Sequence, residues 1–95
     1  MGAVALLGLL AATLTTAAFV PQAYKTIRTR ATQGLSAVTF GMLFTGTLVW
    51  FAYGYLIGDV PIMAANAITA VLSGIILLIK LQVMTARRQG QARRL

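Results

Sequence analysis

The sequence predicts an all-α membrane protein built as a bundle of three transmembrane helices. Composition is the first reason. The 95 residues include eight basic and one acidic side chain, whereas a soluble domain carries about a quarter charged residues, so a globular surface could not be covered. Patterning is the second. The apolar residues, 59% of the chain, gather in three long stretches at 3–24, 35–57 and 61–80, with Lys80 closing the last. About 20 residues at ~1.5 Å rise cross the roughly 30 Å of a bilayer's hydrocarbon.

Charge placement is the third reason, and it orients the bundle. Lys25, Arg28 and Arg30 lie between the first two stretches, and Lys80, Arg87, Arg88, Arg93 and Arg94 follow the third. With three spans these two segments share one side, so all eight positive charges share it too. The positive-inside rule then puts the N-terminus outside and the C-terminus in the cytoplasm. The bundle is expected over 1–82 and a basic cytoplasmic tail over 83–95. That tail, TARRQGQARRL at its end, reads as a topology anchor and lipid contact and not as a nucleic-acid site.

The first helix carries small residues at helical spacing, Gly8, Ala12, Thr15 and Thr16, then Phe19; such spacing lets helices approach closely in lipid. Its start lacks the basic residues of a signal peptide, and its apolar run is too long for a signal core. Pro21 near its end removes a backbone donor and leaves the carbonyl of Ala17 without its usual partner. A bend there would open or close an inner entrance, and Gln22 beside it can bond freed backbone or water. The first loop is polar, with Gly34 as a break and Ser36 as a candidate cap. The second helix repeats the small stripe with Gly46, Gly54 and Gly58, and Trp50 completes the series. Gly58 and Asp59 then turn the chain, and Pro61 suits the first turn of the third helix. That helix carries Asn66, Thr69 and Ser73 on one face.

Ionisable residues at depth are the usual mark of ion coupling, and the three spans hold none before Lys80. This argues against a proton-coupled antiporter and against an enzyme, since no acid, base or activated nucleophile is offered. The chain has no histidine and no cysteine, so neither a metal nor a cofactor is expected. What remains at depth is neutral. Trp50 lies seven residues before Ile57, about 10 Å from that end of its helix. Asn66 lies five residues after Pro61, about 7–8 Å from the same face of the membrane. The two share a layer. An indole face covers the apolar face of a sugar ring, and an amide both donates to and accepts from hydroxyls. A charged substrate would want a counter-ion.

The stretch FVPQ, Phe19 to Gln22, followed by basic residues, and the stretch LVWFAYGYLIGDVPIMAANAI, Leu48 to Ile68, together closely resemble the bacterial SemiSWEET sugar transporters of the PQ-loop superfamily. The resemblance covers about residues 10–80. It implies a bundle in which helix 3 lies between helices 1 and 2, working as a parallel homodimer around a central pathway. It also implies facilitative, uncoupled movement of mono- or disaccharides by alternating access, in the inner (plasma) membrane. The family's pocket Trp and Asn match Trp50 and Asn66, and its PQ hinge matches Pro21 and Gln22. Its outer gate, Y-x-x-x-R-x-D, matches at Tyr53 and Asp59, but Ile57 holds the basic position. We therefore expect a Tyr53–Asp59 hydrogen bond with apolar closure by Ile57. Leu43, seven residues before Trp50 and on its face, is the candidate inner gate, with Met42 and Phe44 as neighbours. The partners are then a sugar of the glucose or sucrose class, the lipid bilayer and a second copy. Two other readings stay open: a PQ-loop transporter of another small solute such as an amino acid, and a non-transporting membrane subunit.

Overall fold

The computed structural model describes residues 2–94; Met1 and Leu95, the outermost residues of the expected bundle and tail, lie outside the described residues. Three helices form: α1 over Ala3–Thr29, α2 over Ala37–Ile57 and α3 over Val60–Arg94. Each contains a stretch long and apolar enough to cross a membrane. The chain reverses twice, so α1 and α3 run parallel and α2 runs against them. One end of the bundle carries the basic residues; the α2–α3 turn and Asp59 mark the other.

Helix α3 packs against both α1 and α2, which do not touch one another. The expected order, with the third helix in the middle, is therefore the observed one. The middle position needs a helix that can be buried along its length, and α3 has it. Ala70, Ser73, Ile76 and Ile79 are buried at steps of three, one stripe of a helical surface. Ser73 is wholly buried, and its hydroxyl donates to the carbonyl of Thr69 at 2.6 Å. Thr47 on α2 does the same to Phe44 at 2.8 Å. Both polar groups thus enter the core already paired, as buried hydroxyls must.

Two glycines set how closely α2 and α3 meet. A Cβ on Gly54 would lie 2.8 Å from Cγ2 of Ile62, and one on Gly74 would lie 3.0 Å from the Phe44 ring. The Phe44 ring therefore lies over α3 at Gly74. The other stripe members behave differently. Gly8 and Gly46 face open space, with nothing within 4 Å of an added Cβ. Small residues at helical spacing make close approach possible; what stands opposite decides whether it happens.

The ends follow local chemistry. Ser36 caps α2, its Oγ accepting from Thr39 N at 3.2 Å. Gly34 and Gly58 take positive φ of 81° and 71°, where glycine has no Cβ penalty. Asp59 caps α3, its Oδ1 accepting from Ile62 N at 3.0 Å. Two helices overrun the expected spans. Helix α1 continues through Pro21 and the basic residues to Thr29, and α3 continues to Arg94. Charge marks where a helix leaves lipid, not where its hydrogen bonding stops. At 35 residues and ~1.5 Å per residue, α3 is about 52 Å long, well beyond a hydrocarbon core of roughly 30 Å.

Candidate functional site

Because α1 and α2 are held apart by α3, the bundle has a concave face. A cleft of about 920 Å³ opens there, at the Asp59 end. Trp50 from α2 and Asn66 from α3 both line it, with Ala5, Gly8 and Ala12 supplying the α1 wall. The shared depth counted from helical rise thus corresponds to a shared cavity.

Trp50 stands on α2 half exposed, at 54%. Its ring meets Tyr53 edge-on, with centroids 5.7 Å apart and planes at 83°, a favourable quadrupole arrangement. A second groove of about 520 Å³, lined by Gly46, Val49, Trp50 and Tyr53, runs along its other side. The indole therefore projects between two hollows and is not packed into a core. Asn66 is half-buried. Its Nδ2 donates to the carbonyl of Ile62 at 2.9 Å, which orients the amide. The carbonyl oxygen and the second N–H have no side-chain or backbone partner among the described residues, so both functions of the amide are available to a ligand.

The small stripe of α1 explains the room. Gly8 and Ala12 were expected at a helix contact; they form the cleft wall instead. Ala5 and Ala65, which line it too, were not singled out from the sequence. Ala5 continues the α1 stripe one turn outward, and Ala65 adjoins Asn66. Their signal was there in retrospect.

The gates are placed as follows. Tyr53 and Ile57 are exposed on α2. Asp59 lies at the cleft margin, but its carboxylate is engaged as the α3 cap, and the expected Tyr53–Asp59 hydrogen bond is not formed within the protomer. Leu43 is exposed at 38%, two turns from Trp50 toward the basic end, and does not line the cleft. Pro21 and Gln22 are exposed within α1, and Gln22 makes no side-chain hydrogen bond among the described residues. Pro21 sits at a boundary. The buried residues of α1 are Ala23 and Thr26, both beyond it, and no described residue before it is buried. The basic end of α1 is thus anchored to α3. The longer arm is only part-buried, at Ala5, Ala12, Thr16 and Phe19, and a groove of about 300 Å³ lies between its Thr13 and Thr16 and the Ala64 and Ile68 of α3.

The chain resembles known proteins closely. Residues 3–63 match the family model described as the PQ loop repeat. A protein of Escherichia coli named sugar transporter SemiSWEET is 46% identical over 85% of this chain and 91% of its own length. One of the same name from Bradyrhizobium diazoefficiens is 43% identical over 81% and 90%. A crystal structure of SemiSWEET in the inward-open conformation superposes with a TM-score of 0.92 at 40% identity, covering 97% of this chain and 99% of that one. The crystal structure of a bacterial homologue of SWEET transporters gives 0.72 at 35% identity, covering 82% and 94%.

Proposed function

The chain belongs to the SemiSWEET branch of the PQ-loop family, and from that premise we propose that it is a facilitative sugar transporter. Its substrate is a neutral mono- or disaccharide, and it works as a parallel homodimer by alternating access. One observation carries the reading: a single cleft brings an exposed indole and an oriented, half-satisfied amide to one layer, and its one charged lining residue, Asp59, is engaged as the α3 cap. Asp59 is the chain's one acidic side chain, and its carboxylate holds a helix end.

Two features support the pairing of copies. The cleft is open on the side away from α3, so one bundle makes half a pathway. The indole is half exposed, and Gly8 on α1 and Gly46 on α2 face open space in the protomer. A twofold axis along the membrane normal would set two Trp50 rings and two Asn66 amides around one ligand. The rings cover the apolar faces of the sugar, and the amides bind its hydroxyls. No charge is taken into or out of lipid, so no ion gradient need be spent.

Alternation needs one helix that moves against the others. The loosely held arm of α1, joined at Pro21 to its anchored end, fits that task. The missing N–H of Pro21 removes one bond from the helical ladder at the junction. Tyr53, Ile57 and Asp59 are the outer gate in this reading and Leu43 the inner one, both working across the twofold axis. The basic end faces the cytoplasm, and the membrane is the inner (plasma) membrane.

The test is uptake of labelled glucose and sucrose into proteoliposomes. Saturable uptake is expected for at least one of them, and Trp50→Ala and Asn66→Ala are each expected to reduce it at least tenfold. Uptake that neither substitution affects would remove the pocket assignment. Saturable uptake of an amino acid but of no sugar would replace the substrate class.

A further inference from the structure

A second built cavity lies at the basic end, away from the cleft. It encloses about 240 Å³ between the α1–α2 loop and α3. Arg30 and Gln33 contribute from the loop, and Lys80, Val83, Met84 and Arg87 from α3. The loop is strapped to the helix. Thr32 is buried at 2% exposure, and its carbonyl accepts from Lys80 Nζ at 3.1 Å. Arg30 ends α1 in the left-handed region, at φ 56°, and its guanidinium donates to Gln82 Oε1 at 2.9 Å. These two bonds fix Lys80 and Arg30 beside the hollow, and Arg87 lines it as a third cation.

No acidic side chain neutralises them among the described residues. The only acid, Asp59, is at the opposite end of the bundle. Lys80 has used one of its three donors and Arg30 one arm of its fork. Arg87 lies seven residues after Lys80, on the same helix face, and side chains lean toward the helix N-terminus, so it reaches back over the hollow. Three cationic side chains line one hollow with no acidic side chain beside them, and their remaining N–H groups suit a phosphate group.

Height indicates the source of that phosphate. From Pro61 to Lys80 is 19 residues, about 29 Å of helix, the thickness of the hydrocarbon core. The cavity therefore opens at the level of the lipid phosphates, and its floor has an apolar side at Val83 and Met84. We infer that this cavity binds the headgroup phosphate of an anionic phospholipid, with Arg30, Lys80 and Arg87 as its ligands. The site depends on the membrane-spanning fold and not on the sugar reading.

Detergent-purified protein is offered equal phosphatidylglycerol and phosphatidylcholine, and retained lipid is counted by native mass spectrometry. Wild type is expected to retain phosphatidylglycerol preferentially. The double variant Arg30→Gln/Arg87→Gln, which spares the Lys80–Thr32 strap, is expected to lose at least about tenfold, the least that one charge-assisted hydrogen bond contributes. Arg93→Gln/Arg94→Gln removes the same charge from the far end of α3 and is expected to bind within about twofold of wild type, since it spares these bonds. Equal losses in the two variants, or equal retention of the two lipids by wild type, would overturn the site. Displacement of phosphatidylglycerol by millimolar inorganic phosphate would overturn the lipid as its source. Sugar uptake by Arg30→Gln/Arg87→Gln in neutral liposomes is expected to match wild type, so failure of this site and failure of the transport reading are read separately.

Discussion

Gly54→Ala tests how the cleft is held in shape. The added Cβ would stand 2.8 Å from Ile62 Cγ2, 3.2 Å from Ile62 Cβ and 3.1 Å from Met63 Cγ. Carbon atoms attract at ~3.5 Å and beyond, so the first contact is about 0.7 Å too short. Met63 can swing its flexible chain away. Ile62 cannot, because a β-branched residue in a helix has one strongly preferred χ1 and its Cβ is itself in the way. The helices must part locally by most of that distance. Overpacking of this kind costs about 1–3 kcal/mol, offset by up to about 1 kcal/mol from replacing a helical glycine. A net loss of ~1 kcal/mol lowers the midpoint by about 4–8 °C in a domain of this size. Trp50 lies one turn from Gly54 and Asn66 one turn from Ile62, so the wedge also separates the two proposed ligands, and uptake falls with stability. Thermal unfolding in detergent is the assay, with Gly90→Ala as the control, since nothing lies within 4 Å of its Cβ. A Gly54→Ala protein that unfolds at or above the wild-type temperature would refute the close-packing argument.

Other expectations are more briefly put. Pro21→Ala restores a donor to the Ala17 carbonyl, so the protein should gain up to about 3 kcal/mol of helix stability while uptake drops at least tenfold; a variant transporting at the wild-type rate would remove the hinge. Asp59→Ala should cost about 1 kcal/mol through loss of the α3 cap, whereas Asp59→Asn, which can still cap, should keep that stability. Slow uptake by the stable Asn variant would then assign Asp59 to the outer gate, and unimpaired uptake would leave it a cap alone. Ser36→Ala should lower stability by about 1 kcal/mol without changing sugar affinity, as melting and uptake curves together would report. An imposed pH gradient should leave sugar equalised across the liposome membrane; accumulation against the sugar gradient would reveal coupling that this neutral span has no group to perform.

Much of this architecture was legible in advance, for identifiable reasons. Three uncharged runs of bilayer length are spans, and the cap at Ser36 and the break at Gly34 announce themselves by residue type. Counting helical rise placed Trp50 and Asn66 in one layer because rise is nearly constant in a helix. Facing partners are another matter. Gly8, Gly46 and Gly54 look alike along the chain, yet Gly54 alone of the three meets a neighbour, because spacing describes one helix and contact needs two. The middle position of α3 came from resemblance and not from periodicity. Helix ends were also hidden. Residues 80–94 are polar but rich in Lys, Arg, Gln and Ala, good helix formers, so α3 runs on after leaving the apolar stretch, while α1 is carried to Thr29 by packing, with Thr26 buried in its last turn. The Lys80–Thr32 strap joins residues 48 apart in sequence, and no local pattern announces it.

Trp50 is the chain's single tryptophan, so its fluorescence, excited at the red edge where the tyrosines do not absorb, reports on the proposed pocket with no other indole. Titrating glucose, sucrose and a zwitterionic amino acid into the purified protein should give a saturable emission change with a sugar and none with the amino acid, and Asn66→Ala should weaken the sugar response at least tenfold. An indole signal indifferent to every sugar that the protein transports would contradict the account.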